Sequence, residues 1–401
     1  MRTTLHWSLA FLLAISLAGA LQAASADSPV ITVAVAPFAN ISKDTQTDWL
    51  GYGFAETLAT KLCMVPGIQY VERSELSKAL KELKLQDTAL VDPATASKLG
   101  KIVGAEYVIV GSFQKIGDAL KVDARVVNVE TSVAAKSADD TGTMPGVFEL
   151  QASLATKLVT VLGRKIPESS AKRIAARPTQ SMSSYEWFCR ALAAQTAGKW
   201  DDAIEAWTNA ILLDPQAAYY MMRASVYLAK DDPDRAIDDF TTAIAFAPDT
   251  PAFYTGRASA YETKHEYDKA IADCDKALEI KPEYAEAYCI RAHAYGKKGD
   301  WDKSIADFGR AIAIEPSPNT YTYRGLAWFL KHEPVKAIGD YDRAIAIAPG
   351  FARAYLAKGL ACEEVGRSHE ARAAYQYIIS LDNSPDLVKE ARKRLEQLPT
   401  Q

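Results

Sequence analysis

The sequence predicts an α/β sandwich domain with a mixed sheet, followed by an all-α solenoid of paired helices. Between residues 30 and 162, short runs rich in β-branched residues alternate with helical patterns, which is typical of a sheet covered by helices. Further on, a proline recurs every 33 or 34 residues, and a fixed period of this length indicates a helical solenoid. An apolar stretch precedes both, so we expect a leader followed by two folded parts.

Residues 1–26 have the composition of a secretory signal peptide. Arg2 supplies the positive start, and the apolar run extends from Ser8 to Leu21. Small residues at 24–26 offer a cleavage site, with 21–23 as a second candidate. The run is shorter than a membrane-spanning helix needs, and no cysteine follows it that could carry a lipid anchor. We therefore expect the mature protein to be periplasmic or secreted.

Residues 27–163 predict the first domain, with elements in the order β-α-β-α-α-β-β-β-α. The expected strands are 30–38, 67–71, 106–113, 119–129 and 133–138, and the expected helices are 48–64, 74–85, 92–100 and 148–162. Ser74 is expected to cap the second helix. Asp92-Pro93 opens the third, because proline suits the first turn of a helix. This order predicts one mixed sheet with helices packed on it.

Residues 164–183 predict a basic linker. The segment mixes Pro167 and Pro178 with several serines, and it holds five basic residues against one acidic residue. Such a composition is typical of a semi-flexible, solvated tether. A contact with anionic lipid is the alternative interpretation.

Residues 184–382 predict six copies of a helix-pair unit. In the copy that begins at Ala285, residues Tyr288, Ala292 and Tyr295 share one helix face, and a second face begins at Ser304. The copies begin at Ser184, Ala217, Pro251, Ala285, Pro318 and Ala352. The last copy has Asn383 where the others have proline, as expected of a terminal repeat, which faces water on one side. After it, Leu387, Ala391, Leu395 and Leu398 lie at helical spacing, so we expect residues 383–401 to form a capping helix and a tail.

Four middle copies repeat an arginine and an aspartate sixteen residues apart. The expected pairs are Arg223 with Asp239, Arg257 with Asp273, Arg291 with Asp307, and Arg324 with Asp340. The outer copies have Arg190 and Lys358 but lack the acid. A half-buried arginine needs a partner, so we expect structural ion pairs between packed helices. A ligand-binding ladder of arginines is the alternative.

The repeat unit resembles the tetratricopeptide repeat. The resemblance rests on a small residue followed four positions later by a bulky one in the second helix: Ala203 and Trp207, Ala236 and Phe240, Ala270 and Cys274, Ser304 and Phe308, Ala337 and Tyr341, Ala371 and Tyr375. It implies a protein that holds other proteins.

The first domain resembles the CsgG-like and TolB amino-terminal family of envelope domains. The matching pieces are VAVAPF followed by Asn40, the helix WLGYGFAETLATKL, VER at 71–73, the strand GAEYVIVGSF and the hairpin LKVDARVVNVET. Relatives act as envelope assembly factors, secretion-channel subunits and activators of cell-wall synthases. The resemblance therefore implies protein binding rather than catalysis, and it allows an oligomer through this domain.

Cofactor, metal and nucleic-acid chemistry find no support in the sequence. The five cysteines and five histidines show no spacing typical of a metal site or a catalytic set. Gly51-Tyr52-Gly53 lacks the further glycine and the lysine of a phosphate loop, so close packing is the favoured reason for its glycines. Acidic residues outnumber basic ones over 184–284, which disfavours a nucleic-acid partner. We expect no enzyme and no cofactor.

In a solenoid, the first helices line a concave surface that partners use. We expect an extended peptide or a partner helix there, anchored by Phe188 with Met221 or by Leu326 with Phe329. The expected groove residues are Tyr185, Phe188, Leu192, Met221, Ser225, Leu228, Thr255, Ser259, Glu262, Cys289, His293, Lys297, Thr322, Leu326, Phe329, Leu356, Leu360 and Glu363.

The leading hypothesis is a non-enzymatic interaction scaffold of the bacterial envelope. It would hold one partner in the repeat groove and a second envelope protein on the α/β domain. The alternatives are a periplasmic sensor whose α/β domain binds a small molecule or glycan, and a ring-forming assembly factor.

Overall fold

The computed structural model describes residues 29–42, 44–83, 92–179, 181–381 and 384–398. The expected signal peptide lies outside these ranges. The chain divides into two compact units, Met1–Ala247 and Pro248–Gln401. The first unit therefore contains the α/β domain together with the first two helix pairs of the repeats.

The first unit contains a mixed sheet of six strands. They are β1 Ile31–Val35, β2 Ala39–Asn40, β3 Ile68–Tyr70, β4 Tyr107–Ile116, β5 Ala119–Asn128 and β6 Ala134–Thr143. The order is β3-β1-β4-β5-β6, with β2 beside β4. Strand β1 runs parallel to β3 and β4, whereas β4, β5 and β6 are antiparallel. The predicted mixed sheet is confirmed, and β2 escaped prediction because two residues cannot show an alternating pattern.

Four helices cover the sheet: α1 Trp49–Leu62, α2 Arg73–Glu82, α3 Pro93–Val103 and α4 Val147–Val161. Helices α1 and α4 share one apolar core with Ile31, Val33 and Val35, while α2 and α3 share the other with Ala34. Successive residues of β1 thus point to opposite faces, as the pleat of a strand requires. The α2 helix begins at Arg73 with Glu72 in the capping position, so Ser74 is not its cap.

The expected linker contains a helix, α5 Glu168–Ala175. Ile174 is 2% exposed and belongs to the core that α1 and α4 share. The Ser170 hydroxyl donates to the Met64 carbonyl at 2.7 Å, and Lys61 Nζ donates to the Ala176 carbonyl at 2.9 Å. A tether is therefore the wrong description of this segment. The basic composition of this segment did not indicate the short helix, which one apolar side chain and hydrogen bonds hold against the α/β domain.

Helix pairs make up the rest of the described chain. In the first unit they are α6 Met182–Thr196, α7 Trp200–Leu213, α8 Ala217–Ala229 and α9 Pro233–Phe246. In the second unit they are α10 Pro251–Thr263, α11 Tyr267–Ile280, α12 Ala285–Lys297, α13 Trp301–Ile314, α14 Pro318–Leu330, α15 Pro334–Ile347, α16 Ala352–Glu364 and α17 Ser368–Leu381, followed by α18 Pro385–Gln397. The thirteen consecutive helices from α6 to α18 confirm the predicted all-α solenoid.

Small residues let the two helices of a pair approach closely. A Cβ atom added to Gly325 would lie 2.6 Å from Tyr341, and one added to Gly359 would lie 2.4 Å from Tyr375. Atoms that are not bonded cannot approach so closely, so these two positions exclude any side chain. The bulky tyrosine of the second helix, Tyr341 or Tyr375, therefore requires a residue without a side chain on the facing first helix.

Candidate partner-binding surfaces

Tyr185 does not line a groove. It is fully buried, and its hydroxyl accepts a hydrogen bond from Gln151 Nε2 at 2.6 Å and lies 3.0 Å from Thr57 Oγ1. Its ring meets those of Trp49 and Phe148 edge-on. Burial raises the pKa of this hydroxyl well above its usual value. The groove prediction is wrong here, because this residue fastens α6 to α1 and α4.

The remaining groove candidates of the first unit are mostly buried as well. Leu192, Met221 and Leu228 are each at most 6% exposed, so Met221 cannot serve as the expected anchor. Phe188 is half-buried, and its ring packs against those of Tyr185, Trp207 and Tyr219. Ser225 is also half-buried. The groove prediction is therefore corrected for Leu192, Met221 and Leu228, whose side chains hold neighbouring helices together.

The polar candidates of the second unit divide into two groups. Thr255 and Ser259 are buried, which removes them from the predicted groove. Glu262 and His293 join α10 to α12 through a 2.8 Å contact between Oε1 and Nδ1. Lys297 is exposed at the end of α12. The accessible polar part of this face is therefore a carboxylate–imidazole pair beside a cation.

Two candidates between α12 and α14 are only partly accessible. Cys289 Sγ lies 3.9 Å from Thr320 Oγ1, and burial raises the pKa of this thiol to about 12, so it stays protonated and unreactive at neutral pH. Thr322 is half-buried and donates to the Pro318 carbonyl.

Two exposed apolar side chains of this unit lie one turn apart on α14. Leu326 is 41% exposed and Leu330, one turn later, is 43% exposed. Residues four apart lie on the same helix face, so these two leucines, the leucine pair, form one apolar strip. Sequence reasoning missed Leu330, although its spacing from Leu326 could have revealed it. Phe329 is half-buried and packs against the core cluster of the last repeats.

The last copy contributes less to a groove than expected. Leu356 and Leu360 are half-buried, and Leu356 packs against the same core cluster as Phe329. Glu363 accepts a hydrogen bond from the Tyr375 hydroxyl and lies 3.5 Å from Arg394 Nη1 of α18. This carboxylate is therefore engaged within the chain.

The expected arginine–aspartate pairs are present in all four middle copies. In each copy the arginine Nε and Nη2 donate to the two carboxylate oxygens of the aspartate, with Nε–Oδ2 distances of 2.8, 2.8, 2.7 and 2.8 Å. Each guanidinium also lies 5.4–5.9 Å from the ring centre of the tyrosine three residues earlier. The hydrogen bonds to aspartate raise the pKa of these arginines. This geometry supports the structural interpretation, because each aspartate occupies two of its arginine's nitrogens.

Within the ranges that the structure describes, no group of three or more histidine, cysteine, aspartate or glutamate side chains is placed to hold a metal ion. In the same ranges, no helix has the length and apolar character that crossing a bilayer requires.

Close packing accounts for the two glycines of the segment Gly51-Tyr52-Gly53. A Cβ atom on Gly51 would lie 2.2 Å from the Phe38 carbonyl oxygen. One on Gly53 would lie 2.6 Å from Cys189 Sγ and 2.7 Å from the Tyr185 hydroxyl. Gly51 thus allows close approach of the segment between β1 and β2, and Gly53 allows close approach of α6, which supports packing over phosphate binding.

Comparisons with known families agree with the two resemblances. The family model described as "Curli production assembly/transport component CsgG" matches residues 17–119. Two tetratricopeptide-repeat models match residues 190–249, 221–285 and 336–387, and residues 285–318. A comparison with curated proteins found no match.

Several solved structures are similar to the repeat part. The crystal structure of MamA is 27% identical, with 42% of this chain and 96% of that chain covered and a TM-score of 0.37. A tetratricopeptide repeat protein from Parabacteroides merdae is 18% identical, with 63% and 95% covered and a TM-score of 0.45. YrrB, described as a repeat protein with an unusual peptide-binding site, is 19% identical, with 48% and 100% covered and a TM-score of 0.38. The family models thus match a CsgG domain in the first part of the chain and tetratricopeptide repeats further on, in agreement with the helix pairs.

Proposed function

We propose that the protein is a non-enzymatic interaction scaffold of the bacterial envelope. Tetratricopeptide repeats are generally a non-catalytic interaction fold, and their presence supports protein partners. The observation that carries the proposal is the leucine pair on α14, because large apolar side chains exposed side by side often mark an interaction surface.

The expected partner is an extended peptide or a helix with apolar side chains that cover Leu326 and Leu330. On the first helices of the two preceding copies, Lys297 and the Glu262–His293 contact supply polar groups. An apolar centre with a polar rim is the usual composition of a protein interface. Phe329 is better regarded as a support than as an anchor, because it packs into the core of the last repeats.

The envelope location is supported by the CsgG match and by the signal-like composition of residues 1–26. In this proposal the protein is periplasmic or secreted after cleavage. The α/β domain would bind a second envelope protein, so the chain would act as an adaptor with two binding regions.

A double substitution tests the groove. Full-length protein carrying Leu326→Ser and Leu330→Ser should lose the proteins that wild type retains from an envelope extract of the source organism. Removing two apolar contacts of about 1.5 kcal/mol each corresponds to at least a tenfold weaker affinity for the isolated partner. Calorimetry on that partner would measure the loss.

Val335→Ser is the matched control, because Val335 is 59% exposed on α15 and is not one of the groove residues. It should leave binding and melting temperature unchanged. Equal retention by the double variant and wild type would reject the leucine pair as the binding surface.

A further inference from the structure

The arginines of the ladder make a second contact that links neighbouring copies. Arg223 Nη1 donates to Thr208 Oγ1 at 2.9 Å, on the second helix of the preceding copy. Arg291 Nη1 donates to Asp275 Oδ1 at 2.5 Å in the equivalent place. The guanidiniums of Arg223 and Arg291 thus each bind their own aspartate with two nitrogens and an oxygen of the preceding copy with the third.

In the described part of the chain, the copy that contains Arg324 lacks this second contact. The following copy has it even though lysine replaces arginine, because Lys358 Nζ lies 2.7 Å from Asp342 Oδ1 of the preceding copy. At Arg324 the acceptor position is occupied by Gly309, and a Cβ atom added to Gly309 would lie 3.6 Å from Arg324 Nη1. Among the residues that the structure describes, Arg324 donates hydrogen bonds only through Nε and Nη2, both to Asp340. Its Nη1 therefore keeps its hydrogen-bonding capacity.

Exposure agrees with this difference. The side chain of Arg324 is 25% exposed, against 16%, 19% and 20% for the arginines of the other three pairs. Arg324 lines a pocket between α14 and α15, together with Tyr321, Trp328, Lys336 and Arg343. The absence of a side chain at Gly309 thus leaves an accessible guanidinium nitrogen beside a pocket.

Charge in this pocket favours an anion. Lys336 Nζ lies 4.5 Å from the centre of the Trp328 ring and 3.5 Å from Glu333. Arg343 is exposed and makes no ion pair with any residue of the described ranges. Three cations therefore meet two carboxylates, those of Asp340, which Arg324 already binds, and Glu333, which lies beside Lys336. The remaining positive charge would attract a singly charged anion, whereas Asp340 would repel a doubly charged phosphate.

We propose that this pocket binds an aspartate or glutamate side chain of a partner peptide, with Arg324 Nη1 as the central donor. The fold itself supplies the precedent, because Asp275 and Asp342 place carboxylates at the equivalent position in neighbouring copies. A partner's carboxylate would complete the ladder where Gly309 leaves it open. Lys336 and Arg343 would add longer-range attraction.

The site is separate from the groove proposed above. On α14, at about 100° per residue, Tyr321, Arg324 and Trp328 share a face that lies opposite the leucine pair. An acidic segment could bind here whether or not the leucine pair holds a partner. The inference therefore goes beyond the proposed function and does not depend on it.

The sharpest test is a variant whose own side chain occupies the open acceptor position beside Arg324. Gly309→Asp would supply the missing carboxylate to Arg324 from the chain itself and so compete with any external one. The variant should fold, because replacing glycine inside a helix with another residue usually stabilises it, and 3.6 Å is an ordinary contact distance. A melting temperature at or above that of wild type would verify this.

Binding is measured by fluorescence polarisation of a fluorescein-labelled hexa-aspartate amide on the full-length protein at low salt. We expect wild type to bind it, hexa-asparagine amide not to bind, and Gly309→Asp to weaken binding at least tenfold. Gly309→Ala should bind within threefold of wild type. Ala313→Asp adds the same charge at an exposed position one turn along α13. It should weaken peptide binding less than Gly309→Asp does. The Leu326→Ser, Leu330→Ser variant should bind as wild type does.

Three results would overturn the inference: no binding by wild type, unchanged binding by Gly309→Asp, or displacement of the peptide by inorganic phosphate beyond that by sodium chloride of equal ionic strength. The last would assign the pocket to phosphate rather than to a carboxylate side chain. Failure of the leucine-pair variant to lose its partner would reject the proposed groove alone.

Discussion

The two ends of the repeat array cover their apolar faces in different ways. At the first end, α6 packs against α1 and α4 of the α/β domain, and Tyr185 and Cys189 belong to that domain's core. At the last end, α17 packs against one added helix, α18, through Val388 and Ala391. One end is thus continuous with a folded domain, and the other is closed by a single amphipathic helix.

The difference is also one of specificity. At the first end a buried hydroxyl, that of Tyr185, is hydrogen bonded to Gln151 and lies within bonding distance of Thr57. A buried polar group that loses its hydrogen-bond partner destabilises the fold. The hydrogen bonds of Tyr185 therefore favour one orientation of α6 on α1 and α4. At the last end the contact of α18 is mainly apolar, which places fewer constraints on geometry. We infer that the first end fixes the orientation of its helices, whereas the last end mainly keeps water from the core.

Tyr185→Ala should produce the largest effect. Removing a buried aromatic side chain typically costs about 3–5 kcal/mol, and Gln151 would lose a buried partner as well. The unfolding free energy of the full-length protein, measured by urea titration with tryptophan fluorescence, should fall by that amount. Tyr377→Ala, at a residue 36% exposed, should cost about 1 kcal/mol or less. Equal losses for the two variants would contradict the proposed role of the junction.

Val388→Asp tests the other end. Burying a carboxylate without a partner is costly, but α18 can release the side chain by detaching from α17. We expect a loss of about 2 kcal/mol or less, with faster hydrogen exchange confined to α17 and α18. Lys389→Asp places the same charge at the next, exposed residue and should leave exchange unchanged. Faster exchange spread over the whole chain would show that the last end is as tightly coupled as the first.

The sequence predicted whatever depends on periodicity. The helix pairs, the closing helix and the arginine–aspartate pairs repeat at fixed spacing, so that each copy supports the interpretation of the others. The sheet followed from alternation and from turn residues such as Asp92-Pro93, which caps α3 through the backbone NH groups of Ala94 and Thr95. Such local signals are visible in a single sequence because they act over a few residues.

Contacts between distant segments were not visible. Tyr185 occupies a repeat position that faces outward in an isolated solenoid, and nothing near it in sequence shows that the α/β domain covers it. The α5 helix was missed because Ile174 is the single apolar side chain that it buries. The open place beside Arg324 depends on Gly309, fifteen residues earlier, and it became apparent only when the other arginines showed what normally occupies it.

Ala206→Asp should produce the smallest effect. Arg190 lies in the first copy, where Ala206 stands sixteen residues later instead of aspartate. Its Nη2 donates to Glu186 at 2.6 Å, whereas its Nε is buried with no acceptor among the described residues. An aspartate at 206 would supply that acceptor as in the middle copies. We expect a gain of about 0.5–1 kcal/mol, because Arg190 is 41% exposed and such pairs are weak.

A double-mutant cycle separates pairing from other effects of Ala206→Asp. Ala206 is 3% exposed, so in an Arg190→Met background the new carboxylate would be buried without its partner and should destabilise the protein. Urea titrations of the four proteins would give the coupling energy directly. A coupling energy near zero would mean that docking on the α/β domain has moved Arg190 out of the register of the middle copies. A favourable coupling would show that the register is kept and that the first copy lacks only the acid.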